Sequence, residues 1–142
     1  MSSDSNKTLA RRVTFELFAA GNLDLLDELT TADFRNDGQT AGPVDGRANL
    51  ANAIDRVRRA FPDLHYTLEH EIAEGDLVVH HLLARGTQRG PLAGCDATGR
   101  TAIWREIHVM QFASGRMAAQ WGVVDRLGLF QQLGLSSPPR PG

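Results

Sequence analysis

Glutamate and histidine two residues apart on a β-rich run are the pairing in this chain best suited to proton transfer. Along RTAIWREIHVMQF, side chains alternate across a strand. Trp104, Glu106, His108, Met110 and Phe112 therefore share one face, with Arg105, Ile107 and Val109 on the other. A carboxylate at the next-but-one position can orient an imidazole and raise its pKa, as any opposite charge does. The result is a group able to take and return a proton near neutral pH. A buried hydrogen-bonded pair with no chemistry fits the same spacing. Trp104, Met110 and Phe112 would give the pair an apolar wall, the usual setting of a small-molecule site.

The remaining reactive side chains have less around them. His80 shares an inward set with Val78, Leu82 and Ala84 and is expected at the same cavity, whereas His81 falls on the opposite face with Leu83 and Arg85. Adjacent histidines on a strand send their rings to opposite sides, so no metal site is expected from them. His65 and His70 have no partner in sequence and read as solvated or interface residues. Cys95, the single cysteine, lies in the Gly-rich stretch PLAGCDATGR and reads as a loop thiol; alone it can form neither an internal disulfide nor a cysteine-based zinc site. No Gly-rich phosphate loop, flavin motif or nicotinamide fingerprint appears, so no bound cofactor is expected. Redox electrons, if needed, would come from the substrate or a separate nicotinamide-dependent reductase.

The elements that must position these residues follow from periodicity. Leu9, Val13, Leu17 and Phe18 recur at helical spacing up to Gly21, a helix stop. NLDLLDELTT reads as a second, short helix capped by Asn22 and closing at Thr30 and Thr31. After a loop from Ala32 to Asp45, GRANLANAIDRVRRAF puts Leu50, Ile54, Val57 and Phe61 on one stripe, and Pro62 stops it. Three helices are thus expected before any strand. From His65 the period becomes two, giving strands at LHYTLEHEIA, DLVVHHLLARGTQ, RTAIWREIHVMQF and GRMAAQWGVVD. The separators EGD, GPLAGCDATG and ASG are hairpin-like, so the strands should run antiparallel. DRLGLFQQLGL reads as a closing helix and SSPPRPG as a flexible tail. The expectation is one α+β domain over residues 1–135, helices packed on a curved antiparallel sheet, with a tail over 136–142.

A chain of 142 residues with 15 Lys and Arg against 17 Asp and Glu offers no net field to draw nucleic acid or anionic lipid. MSSDSNKTLARR lacks an apolar signal stretch, and no run of apolar residues is long enough for a membrane span. A soluble, cytoplasmic protein is expected.

GTQRGPLAG, TGR, His108 on a strand, SGR, QWGVVD and LGLFQQLG occur in that order, with ADFRN after the second helix and FPDL after the third. Together, over residues 7 to 135, they resemble the SnoaL-like polyketide cyclase family of the nuclear-transport-factor-2-like superfamily. The resemblance implies a cone-shaped α+β barrel enclosing a cavity, a small aromatic polyketide as substrate, and a homodimer. Ile107, Val109, Val79 and Leu83, on the sheet's other face, would supply an apolar surface for that dimer.

In the family's cyclases a strand histidine works with an acidic residue on the next strand. His108 matches the histidine, and the acid position falls on Gly122. Asp125 matches a second family aspartate, at the strand end, where it could face the cavity mouth or cap the closing helix. Phe34, Asn36 and Asp37 lie where relatives line the cavity entrance, although Asn and Asp in loops commonly make turns. Trp121 and Gly122 complete the expected substrate-binding set. The resemblance covers both cofactor-free aldol cyclases and relatives assigned to anthracycline hydroxylation. With the acid missing, a hydroxylase working with a separate reductase is the favoured reading; an aldol cyclase and a non-catalytic ligand-binding protein are the alternatives.

Overall fold

The computed structural model describes residues 2–37 and 46–135. Helix α1 (Ser3–Arg12) is capped by Ser2, whose hydroxyl accepts the Ser5 N–H at 3.1 Å. It continues without interruption into a π-helical stretch, Val13–Ala19, and Gly21 (φ +69°) ends it. A 3-10 turn, Leu23–Leu25, leads into α2 (Leu26–Leu29). There follow β1 (Thr30–Asp37), α3 (Gly46–Ala60), β2 (His65–Glu74), β3 (Leu77–Thr87), β4 (Thr101–Ala113), β5 (Arg116–Val124) and α4 (Arg126–Gln132). The expected tail, 136–142, lies outside the described residues, as does the loop segment 38–45.

One strand differs from the sequence reading. β1 comes between the second and third helices, where a loop was expected. TTADFRND holds one large apolar residue, so its period of two does not register as hydrophobic alternation. Phe34 and Asn36 are nevertheless buried, with Asp33 and Arg35 exposed between and beside them. β1 also runs parallel to β5, against the expected all-antiparallel sheet. Parallel neighbours need a long connection, here supplied by α3 and the meander of β2 to β5.

Among the described residues, five strands form a single open sheet in the order β1-β5-β4-β3-β2, with β1 and β2 as edges. The other three pairings are antiparallel, as expected. In register, His80, His108 and Gly122 lie in one row, and Val79, Val109 and Trp121 in the next. Because faces alternate, these rows belong to the inner and outer faces respectively. Helix α1 packs on β2 and β3, α3 beside β1 and α4 beside β4. Ala10, Val13 and Leu17 of the first helix, and Leu50 and Ile54 of α3, meet Val78, Leu82, Met110 and Met117 of the sheet in one buried core.

Candidate active site

The core does not fill the cone. A cavity of about 670 Å³ remains between the inner face of the sheet and helices α3 and α4. Leu50, Ile54, Val57 and Phe61 form one wall, and Leu129 and Phe130 of α4 another. This is the stripe that the i, i+4, i+7, i+11 spacing of the third helix predicts. Its floor is polar: Tyr66 from β2, Trp104, Glu106 and His108 from β4, and Gln120 from β5 border it. The loop residues Pro91 to Gly94 contribute to the rim, and Ala93 there adopts φ 49°.

Glu106 is the centre of the floor. Its Oε1 lies 2.8 Å from Nε2 of His108 and accepts the Tyr66 hydroxyl at 3.0 Å, and its Oε2 accepts the Trp104 indole N–H at 2.7 Å. Burial opposes the carboxylate's charge, yet the bonds from His108, Trp104 and Tyr66 and the charge of the imidazole outweigh it, holding Glu106 below its ordinary range. For His108 burial also opposes charge, and the bond to Glu106, its negative charge and Gln120 together raise the pKa. Tyr66, desolvated and beside Glu106, is pushed well above the usual phenol value and keeps its proton. Nδ1 of His108 donates to Oε1 of Gln120 at 3.2 Å, and Nε2 of Gln120 donates to Oδ1 of Asn36 at 2.6 Å. Both ring nitrogens of His108 face oxygen acceptors, an arrangement that favours the protonated imidazole beside the carboxylate. The ring of Phe18 rests 5.4 Å from it, centroid to centroid, and closes the apolar side.

The residues singled out from sequence separate into groups. Trp104, Glu106 and His108 border the cavity together. Met110 and Phe112 share their face but lie in the packed core beyond it, at 0% and 4% exposure. Gly122 sits opposite His108 on the neighbouring strand. Asn36, expected to make a turn or line the entrance, is a strand residue that reaches His108 through Gln120. Phe34 is core. Trp121 is on the outer face beside Val109, because its register position is odd relative to Gly122. Asp125 caps α4: its carboxylate accepts the Gly128 N–H at 2.9 Å and its side chain is exposed.

His80 does not border the cavity. It is fully buried, bonded to the Thr14 hydroxyl at 2.7 Å and to Glu71 at 2.8 Å, and Glu71 in turn pairs with Arg11 at 2.5 Å. Burial, more than Glu71 offsets, lowers its pKa, so it is a neutral link tying the first helix to β2 and β3. His81 turns to the outer face and stacks on His70 at 5.2 Å.

Tyr66 and Gln120 were not anticipated. Gln120 shares the inward face of β5 with Gly122, two residues away, and that alternation was a usable signal. Tyr66 reaches Glu106 across two strand pairings, through Ala84 and Trp104, which no local spacing encodes.

Comparison with known proteins places the chain in a family. Residues 8–133 match the SnoaL-like polyketide cyclase family. The chain is 28% identical over 137 residues to the aklanonic acid methyl ester cyclase DnrD of Streptomyces peucetius, covering 94% of each. It superposes on TsrD from Streptomyces laurentii with a TM-score of 0.83 and 28% identity, over 94% of this chain and 98% of that one. AclR from Streptomyces galilaeus, a candidate hydroxylase, gives a TM-score of 0.83 at 21% identity over 98% and 87% of the two chains, a likeness of fold alone. With almost the whole chain matched, the protein belongs to the SnoaL-like polyketide cyclase family.

Proposed function

We propose that this protein is a tailoring enzyme of aromatic polyketide biosynthesis, and that it hydroxylates an anthracycline-type ring without a bound cofactor. The observation that carries the reaction type is Gly122. The position facing His108, which the resemblance assigns to the cyclases' acid, has no side chain here, and Asp125 is committed to the cap of α4. An aldol ring closure needs one group to take a proton alpha to a carbonyl and another to protonate the oxygen that becomes the alcohol. The floor supplies one coupled pair, Glu106 and His108.

A single pair suits holding an oxyanion. The His108–Gln120 bond, at 3.2 Å the longest on the floor, is the one open to exchange with a substrate oxygen. A ring first reduced to a quinol by a separate nicotinamide-dependent reductase would lose a proton and leave its anion against the imidazolium. Addition of O₂ to a ring carbon gives a hydroperoxide, and loss of one water leaves the hydroxylated quinone. The apolar walls keep bulk water from the reactive anion.

A second reading, intramolecular aldol cyclisation, is favoured by the 28% identity to DnrD over nearly the full length of both chains. Incubation with an anthracycline-type precursor, a nicotinamide-dependent reductase and ¹⁸O₂ separates the two. Hydroxylation puts label in the product; ring closure under anaerobic conditions without reductase, at unchanged mass, overturns it. His108→Ala is expected to lower turnover by about a hundredfold while the fold persists.

A further inference from the structure

The rim of the cavity carries charge that the floor does not use. Helix α3 presents Leu50, Ile54 and Val57 to the interior, and beside that stripe Arg56 and Arg59, three residues apart, border the opening. Arg126, the first residue of α4, borders the same cavity. All three arginines are exposed, whereas Glu106, His108 and Gln120 are buried. Exposed cationic groups and buried proton-handling groups therefore border one and the same apolar cavity.

The cations are not equally engaged. Arg59 pairs with Asp55 at 2.8 Å. Arg56 and Arg126 have no ion pair or hydrogen-bonded side-chain partner among the described residues. Asp125, adjacent to Arg126, has its carboxylate turned to the Gly128 amide. Among the described residues bordering the cavity, Glu106 is the sole acid, and it is spent on His108, Tyr66 and Trp104.

We propose that Arg56 and Arg126 bind a carboxylate on the substrate, at the end remote from the reacting carbon, so that the enzyme takes the free acid of a polycyclic aromatic in preference to its neutral ester. This rests on the polycyclic-substrate reading above and adds the charge of the substrate to it. A guanidinium matches a carboxylate with two parallel N–H donors, and an ester offers neither the charge nor the second equivalent oxygen. Two exposed guanidiniums from two different helices also set which end of an elongated ligand stays outermost. The far end then meets His108.

Binding of 9,10-anthraquinone-2-carboxylate and of its methyl ester, titrated against the wild type and the Arg56→Gln/Arg126→Gln double variant, tests this. Both positions are exposed, so the variant keeps its fold, which thermal melting checks. The acid should bind about fivefold more tightly than the ester to the wild type, as two exposed ion pairs allow. The preference should vanish in the double variant and shrink at about 0.5 M salt, with ester affinity unchanged. Equal affinity for acid and ester, or a variant that weakens both alike, overturns the carboxylate site and leaves the polycyclic reading standing. Failure of both probes to bind overturns the polycyclic reading, and the carboxylate site with it.

Discussion

His108 and Gly122 lie directly opposite each other across β4 and β5, an imidazole facing a residue without a side chain. Side chains at opposed antiparallel positions have Cβ atoms about 4.5–5.5 Å apart, within reach of a hydrogen bond between a carboxylate and an imidazole. Gly122 does not use a positive φ, so the backbone accepts another residue. Gly122→Asp is therefore expected to supply the second acid–base group and to raise oxygen-independent ring closure by about tenfold or more, at the expense of hydroxylation. Product mass under anaerobic conditions is the readout. An unchanged product profile would mean that this position does not decide the reaction.

Glu106 holds the charge on His108, and removing it should show in pH profiles of both turnover and stability. In Glu106→Gln the imidazole keeps its burial and loses its counter-charge, so the alkaline limb of the activity profile should move to lower pH. For stability, the lowered pKa of Glu106 gives a contribution present above its ordinary value of about 4.3 and lost as pH falls through the depressed folded value. The raised pKa of His108 gives one present below about 6.5 and lost as pH rises through the elevated folded value. Both act together only between those limits. The gap in Tm between wild type and Glu106→Gln/His108→Gln should be widest at about pH 5–6 and narrow on either side. A gap that is flat with pH would show that the pair is not ionised in the fold.

How far the sequence foretold this site depends on where each partner comes from. Glu106 and His108 were legible because a strand's period places residues two apart side by side, and both lie in one apolar-rich run. Helix α3 was legible for the same kind of reason, since Leu50, Ile54 and Val57 repeat at helical spacing ahead of Pro62. Asn36 was not, because a strand with one large apolar residue has no visible alternation; its burial comes from pairing with β5, more than eighty positions away. Trp121 was misplaced by its neighbour: one residue along a strand reverses the face, and Gly122 is the inward one. The link of Thr14, His80 and Glu71 joins three elements, a combination that only the packing of the first helix on β2 and β3 creates.

Asp125 separates a structural role from a catalytic one. Its carboxylate approaches the Gly128 amide so closely that a Cβ at residue 128 would collide with it, which gives the cap a defined seat. Loss of such a cap costs about 1 kcal/mol, so Asp125→Ala should lower Tm by about 3–4 °C. Turnover per folded molecule should stay within about twofold of wild type, against the hundredfold expected for His108→Ala. Matched kinetics below the melting range make the comparison. A loss of turnover as large as that of His108→Ala, with Tm unchanged, would place Asp125 in the chemistry.

The outer face of the sheet leads to the last prediction, a homodimer. Ile107 and Val123 are cross-strand partners there, 45% and 72% exposed, and Ile72 and Ile103 are exposed to 62% and 49%. Val79, Val109 and Trp121 make a half-buried row beside them. An apolar surface of this kind on an open sheet is covered in stable proteins more often than it is left to water. A two-fold axis lets the same face cover itself, with no second protein required. Light scattering on the purified chain should give twice the 15.5 kDa chain mass at micromolar concentration. Placing like charges across that pair, with Ile107→Asp and Val123→Asp together, should yield a folded monomer that still binds ligand, since neither residue reaches the cavity. A wild type that elutes as a monomer would refute the dimer, and a double variant that stays dimeric would move the interface to another face.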